Sequence, residues 1–230
     1  MIKLRDDKYY ISVDSRLVFK EKLDYLLDVI KNISNNHLES EEDLETKFWI
    51  ENGIEDATDL SSEDFKYYQD NLLAYLEKHK HFPQIQFKSL IVSIYSVLET
   101  FLNELTISTE KEIPRKIKYK NLRTVGSEIE NYLNFFSLVY SINFSEMKEI
   151  LAKLKSFADI RNNIVHKNGN IIADEQGRKN RIKKSIEKNK NIKIKENGQL
   201  FIMNDKFLIQ LINLVNEFGL KFYEIFEIEK

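Results

Sequence analysis

Leu90-Ile91-Val92-Ser93-Ile94-Tyr95-Ser96-Val97-Leu98-Glu99-Thr100-Phe101-Leu102-Asn103-Glu104-Leu105 carries an apolar side chain every three or four positions. Leu90, Ile91, Ile94, Tyr95, Leu98, Phe101, Leu102 and Leu105 thus share one side of a helix and can face a core. The pattern extends from about Gln84 to Thr106. Pro83 suits the first turn of such a helix, where its missing N–H costs nothing.

The same period recurs on both sides. Upstream, Leu23, Leu26, Leu27, Ile30 and Ile33 form a stripe that starts near Ser15 and ends at Asn35-Asn36. A shorter helix carries Leu44, Phe48 and Trp49 and stops at Gly53. A third opens at the capping sequence Ser61-Ser62-Glu63-Asp64, presents Phe65, Tyr68, Leu72 and Leu76, and is expected to end before Pro83. Tyr9, Tyr10, Ile11 and Val13 suit a short strand or an extended arm.

Downstream, a basic loop (Lys111 to Lys120) leads to a helix with Val125, Ile129, Tyr132, Leu133, Phe136 and Val139. Asn143 or Ser145 caps the next, Glu146 to about Lys167, with core positions Met147, Ile150, Leu151, Leu154, Phe157, Ala158 and Val165. Ile192 and Ile194, then Leu200 and Ile202, alternate around Asn197-Gly198, which predicts a β-hairpin with a tight primed turn. Asn204 or Asp205 caps a last helix with Phe207, Leu211, Leu214, Phe218, Phe222 and Ile225. The fold class expected is mostly α, a helical bundle with one short β-hairpin near the C-terminus. Residues 1–80 read as an acidic helical N-terminal region, and 81–230 as a helical domain with a basic insert.

Composition narrows the function. The 230 residues include no cysteine, six glycines and two prolines. A disulfide scaffold, a thiolate metal site, an iron–sulfur cluster and a cysteine nucleophile are excluded. No Gly-rich phosphate loop and no Gly-x-Ser-x-Gly elbow is present. His79-Lys80-His81 lacks a nearby carboxylate to complete a metal site and reads as a helix end. No metal and no cofactor is expected. No run approaches roughly 20 uncharged apolar residues, and Met1 to Asp7 lacks a signal-peptide profile. The expectation is a cytoplasmic protein with no membrane partner.

Charge is unevenly spread. The 35 Lys plus Arg nearly balance 37 Asp plus Glu, for a formal charge of −2. Glu39 to Asp64 nevertheless holds eleven acids against one Lys, and Arg178 to Lys195 holds nine bases against one Glu. The basic run is an electrostatic footprint for a polyanion, with Lys167, Arg178, Lys179, Arg181, Lys183 and Lys184 as candidate RNA contacts.

The chemistry concentrates in Phe157-Ala158-Asp159-Ile160-Arg161-Asn162-Asn163-Ile164-Val165-His166-Lys167-Asn168-Gly169. Arg161 and His166 fall about 140° apart around a helix and about 7.5 Å apart along it. They do not stack on one face, and both border one site only if they flank a groove or if the last turn loosens before Gly169. Arginine offers a fixed fork of donors that matches a phosphate. Histidine exchanges a proton near neutral pH. The pair suits metal-independent phosphodiester cleavage in which the 2′-hydroxyl of RNA is the nucleophile. Basic residues also favour last helical turns simply because they complement the dipole. If its helix packs against the motif helix, Glu99 suits a structural counter-ion to Arg161 or a catalytic role, and Tyr95 suits the core or the stacking of a base.

Arg161-Asn162-Asn163-Ile164-Val165-His166 resembles the signature of the HEPN superfamily (higher eukaryotes and prokaryotes nucleotide-binding domain): Arg, four to six residues, then His, with a polar residue after the Arg. The helix around Ile94 to Leu102 and the hairpin and helix after the motif resemble the family's surroundings. The likeness covers about Gln84 to Lys230. It implies a metal-independent endoribonuclease of a toxin or phage-defence system, a homodimer that brings two motifs into one cleft, and a possible antitoxin or defence-system partner protein. It further implies that Arg161 stabilises the scissile phosphate, His166 transfers protons and Asn162 orients one or the other. One branch of the family carries a modified Tyr two places after the His. Asn168 stands there, so that property does not carry over. The alternative is a non-catalytic RNA- or nucleotide-binding adaptor module.

Overall fold

Ile91, Ile94, Leu98 and Leu102 are fully buried, and the helix that carries them is the spine on which the others pack. The computed structural model describes residues 7–37, 41–122 and 126–228, with side chains at 15–34, 42–79, 82–122 and 126–225. It is 77% helical. Seven α-helices are described: α1 Asp7–His37, α2 Glu41–Glu51, α3 Ser62–Glu112, α4 Glu128–Tyr140, α5 Lys148–Lys167, α6 Gln176–Glu187 and α7 Lys206–Ile228. Strands β1 (Ile192–Ile194) and β2 (Leu200–Ile202) form the hairpin, with Ile192 opposite Ile202 and Ile194 opposite Leu200. The chain is mostly α with a hairpin near its C-terminus.

One core joins α1, α3, α4, α5 and α7. Phe19 of α1 stacks on Phe101 of α3 at 4.4 Å between ring centroids. Gly219 of α7 admits that contact, since a Cβ there would lie 2.4 Å from Phe19 Cε1. Phe218 and Phe222 of α7 and Phe135 and Phe136 of α4 are almost wholly buried. The acidic α2 lies on the first part of α3, with Phe48 against Tyr75 and Trp49 against Tyr68. By length and composition α3 is apolar enough to cross a membrane. Half of that window is buried within the fold, and Glu99 and Glu104 interrupt it.

Local signals set several ends. Gly53, just past α2, takes φ +70°. Ser61 Oγ accepts from Asp64 N at the start of α3. Ser127 and Glu130 form a reciprocal capping box at the start of α4, which offsets two of the donors a helix N-terminus leaves unpaired. Asn197 Oδ1 accepts from Gln199 N, and Gly198 alone takes a positive φ (+81°), with Gly198 N–H bonded to the Lys195 carbonyl, so the hairpin turn is longer than the primed two-residue turn expected. Asn204 Oδ1 accepts from Lys206 N before α7.

Four further expectations are corrected. The helix expected to stop before Pro83 runs straight through it, so α3 is one 51-residue helix and residues 80 and 81 both lie inside it. An interior proline costs about 3 kcal/mol. Here Pro83 is buried, Gln84 beside it is hydrogen-bonded to β2, and Phe87 and Leu90 enter the core, so packing outweighs propensity. Residues 9–13 are helical rather than extended, because α1 begins at Asp7 and β-branched residues disfavour helix only weakly. A 3₁₀ turn (Ser145–Met147) precedes α5, with Asn143 Oδ1 accepting from Ser145 N in place of a helix cap. Val165 is exposed rather than core, since α5 has passed the core by its last turn. Val125 lies outside the described residues.

Candidate functional site

α5 ends where Asn168 turns left-handed (φ 51°) and Gly169 follows at φ 78°. The carbonyl of Asn163 accepts from the N–H groups of both. This closure fixes the last two turns, which carry Arg161, Asn162 and His166.

The Arg161 side chain is 21% exposed. Its Nη2 lies 3.4 Å from Glu99 Oε2 on α3, and its Nη1 donates to Asn162 Oδ1 at 3.0 Å. Its Nε is buried with no partner among the described residues. Arg161 and Asn162 form one wall of a cleft of about 570 Å³. Glu99 and Asn103 of α3 form another, and Glu128 and Tyr132 of α4 a third. Burial raises the Glu99 carboxyl above its ordinary range. The Arg161 charge opposes that rise and Glu128 adds to it. Tyr119 stacks on Tyr132 at 4.5 Å and donates to Glu128 Oε1 at 3.1 Å. The Tyr95 hydroxyl is buried and donates to the Leu154 carbonyl, so Tyr95 is a core residue that borders the cleft.

His166 is exposed and is not among the residues lining that cleft. It stands one turn beyond Asn162, on the same side of α5. No hydrogen bond or ion pair joins it to another described residue. A single chain therefore brings Arg161, Asn162 and Glu99 together and leaves the imidazole outside, facing solvent.

The basic residues divide into two groups. Arg181 Nε and Nη2 donate to both oxygens of Asp159 at 2.6 and 2.9 Å. Arg178 donates to Asp174 Oδ1 at 3.3 Å and lies 3.8 Å from Asp159. These two guanidinium groups tie α6 to α5 and to the turn before α6. Lys167, Lys183 and Lys184 are exposed and Lys179 is half-buried, with no carboxylate partner among the described residues.

Sequence reasoning missed Asn163, Asp159 and Asp174. Asn163 is fully buried. Its Nδ2 donates to Asp174 Oδ2 at 2.9 Å and to the Asn170 carbonyl at 3.1 Å. The available signal was a polar residue three positions after the core residue Ile160, where burial demands partners. His79 Nδ1 lies 2.9 Å from the Tyr75 carbonyl and its ring packs on Tyr75. The His81 side chain lies outside the described residues. Among the described residues no three His, Cys, Asp or Glu are grouped to hold a metal.

No family model matches the chain, and neither a curated protein nor a solved structure matches it.

Proposed function

We propose that this chain is a metal-independent endoribonuclease of a toxin or phage-defence system, cytoplasmic and active as a homodimer. One observation carries the reading. Arg161 faces an open polar cleft with one donor unused, while His166, five residues on, faces solvent with no partner among the described residues. Two copies of α5 placed face to face would supply each phosphate with a guanidinium from one chain and an imidazole from the other.

In that arrangement the 2′-oxygen attacks phosphorus and the 5′-oxygen leaves, giving a 2′,3′-cyclic phosphate. His166 transfers the proton that this exchange requires. Arg161 stabilises the charge on the non-bridging oxygens, and Asn162 holds the guanidinium at the angle seen here. A phosphate entering the cleft would share Arg161 with Glu99 or displace it. Burial already makes Glu99 easier to protonate.

Arg161→Ala and His166→Ala should each abolish cleavage of single-stranded RNA in EDTA while leaving the circular dichroism spectrum unchanged. Cleavage that survives either change, or that appears only with added divalent metal, overturns the assignment. The Glu99 and Asn162 contacts of Arg161 favour a second reading, a binding module with no turnover. That module would bind RNA or a nucleotide in the wild type and cleave neither.

A further inference from the structure

Farther along the seam between α3 and α5 from the Arg161 cleft lies a second groove, about 830 Å³, bounded by α3, the end of α5 and the hairpin. Among the described residues no Asp or Glu lines it. Two ammonium groups do. Lys88 projects from α3, and among the described residues its Nζ hydrogen-bonds only Gln199 Oε1, at 3.5 Å. It rests against bare backbone: a Cβ on Gly169 would lie 2.8 Å from that Nζ. Lys195 comes from the loop after β1, with its Nζ 4.5 Å from the centre of the Phe201 ring. Lys193 lies over the same ring at 5.3 Å. Burial, and then the Lys195 charge, make Lys88 less willing to stay protonated. Around the cations stand the exposed apolar side chains Ile85 and Val165 and the flank of Phe201.

We propose that this groove holds one nucleotide of a single-stranded RNA, with a phosphate between Lys88 and Lys195 and the base against Ile85, Val165 and Phe201. Two like charges in a half-buried groove without a carboxylate repel each other, and an anion between them relieves the repulsion. A phosphate alone leaves the apolar wall wet, whereas a base covers it, as base–aromatic contact does in single-strand sites. The groove abuts the final turn of α5, where Val165 and Asn168 stand one and two turns beyond Arg161 on the same side of the helix, so a strand seated here continues toward the Arg161 cleft; His166 lines neither cavity. The identity of the ligand rests on the ribonuclease reading. The placement of the anion site rests on Lys88, Lys195 and Gly169 alone.

The test is fluorescence anisotropy of a labelled uridine octamer with the full chain, comparing wild type, Lys88→Met, Lys195→Glu and the double variant Arg161→Ala/His166→Ala. Each lysine change should weaken binding by about tenfold. Lys88→Met should also flatten the logarithmic salt dependence by about 0.7, the value for one single-strand phosphate. The double variant removes cleavage from the measurement, and adding Lys88→Met to it should weaken binding by a further factor of about ten. Titration with UMP, followed by amide shifts at Gly169 and Gln199, separates the sources: shifts lost in Lys88→Met show that a free nucleotide also occupies the groove.

Folded lysine variants that bind the octamer like wild type overturn the proposal, as does a wild type that binds neither octamer nor UMP. An acidic peptide that displaces the octamer at equal concentration also overturns it in favour of a protein partner. If the lysine variants lose binding and the wild type never cleaves, the groove stands and the nuclease reading falls. If cleavage is present and the lysine variants bind normally, the reverse holds.

Discussion

The side-chain amide of Gln84 makes with Ile202 both hydrogen bonds that a neighbouring strand would make. Its Nε2 donates to the Ile202 carbonyl and its Oε1 accepts from the Ile202 N–H, each at 2.8 Å. A buried residue of α3 thus continues at Ile202 the pairing that residues 169–171 make with the same edge of β2, where Leu200 N–H donates to the Gly169 carbonyl and Ile171 N–H to the Gly198 carbonyl.

Gln84→Ala should therefore leave a buried N–H and a buried carbonyl without partners. The expected cost is about 2–6 kcal/mol, from about 1–3 kcal/mol for each of the two groups. Urea denaturation of the two proteins measures it, and amide exchange at Ile202 should quicken. A loss below about 0.5 kcal/mol, within the range of an ordinary surface change, would mean that water replaces the amide and that the edge is not sealed.

Glu99 should titrate above the ordinary glutamate value of about 4.3, because burial disfavours its charged form more than Arg161 favours it. A group held high in the folded state binds more protons there than in the unfolded chain. Its contribution to stability therefore falls as pH rises from below the unfolded value through the folded one. Glu99→Gln should remove that fall, which thermal unfolding across pH 3 to 8 would reveal. Carboxyl NMR should also show the Glu99 midpoint moving higher still in Arg161→Met. A lower midpoint in that variant would reverse the assigned balance of burial and charge.

Asp159 accepts from Arg181 and lies beside Arg178. Asp159→Ala should cost about 1–3 kcal/mol, the range for hydrogen bonds to a charged group. Arg181→Ala should cost about 1 kcal/mol or less, because that guanidinium is more than half exposed and solvent screens it. A double-mutant cycle measured by chemical denaturation would give the coupling. Equal losses from the two single variants would show that Arg178 gains nothing from Asp159.

Gly219→Ala should destabilise the protein by about 1–3 kcal/mol, the usual cost of overpacking. Alanine is the better helix former by up to about 1 kcal/mol, so propensity alone predicts the opposite sign. The close approach of Phe19 decides it. Pairing the change with Phe19→Leu should recover part of the loss in the same thermal unfolding assay.

What was legible in the chain was local. The stripe from Leu90 to Leu105, the Asn197-Gly198 turn and the caps at Ser61 and Asn204 announce themselves within a few residues, because each depends on periodicity or on one side chain meeting nearby backbone. Glu99 could be set near Arg161 only through the resemblance of its helix to the one that packs on the motif helix, because periodicity gives each helix an inner face but not its neighbour. Long-range polar pairing was not legible. Gln84 and Ile202 are 118 positions apart, and no spacing rule links Asp159 to Arg181 or Asn163 to Asp174. Pro83 misled because its local cost is plain in the sequence, whereas the packing that overrides it appears only once α3 meets the core. The exposure of His166 was likewise hidden, since the spacing gives its angle around α5 but not what stands beside it.

At about 1.5 Å per residue, the 51 residues of α3 make a beam about 76 Å long. The acid-rich helix α2 rides on one end, and the motif helix and hairpin are fastened farther along. Truncation at residue 80 would saw through the timber that both parts share. A shortened protein that loses RNA cleavage would thus report a broken support, and the role of the acidic end has to be sought by reversing its charges with the beam intact.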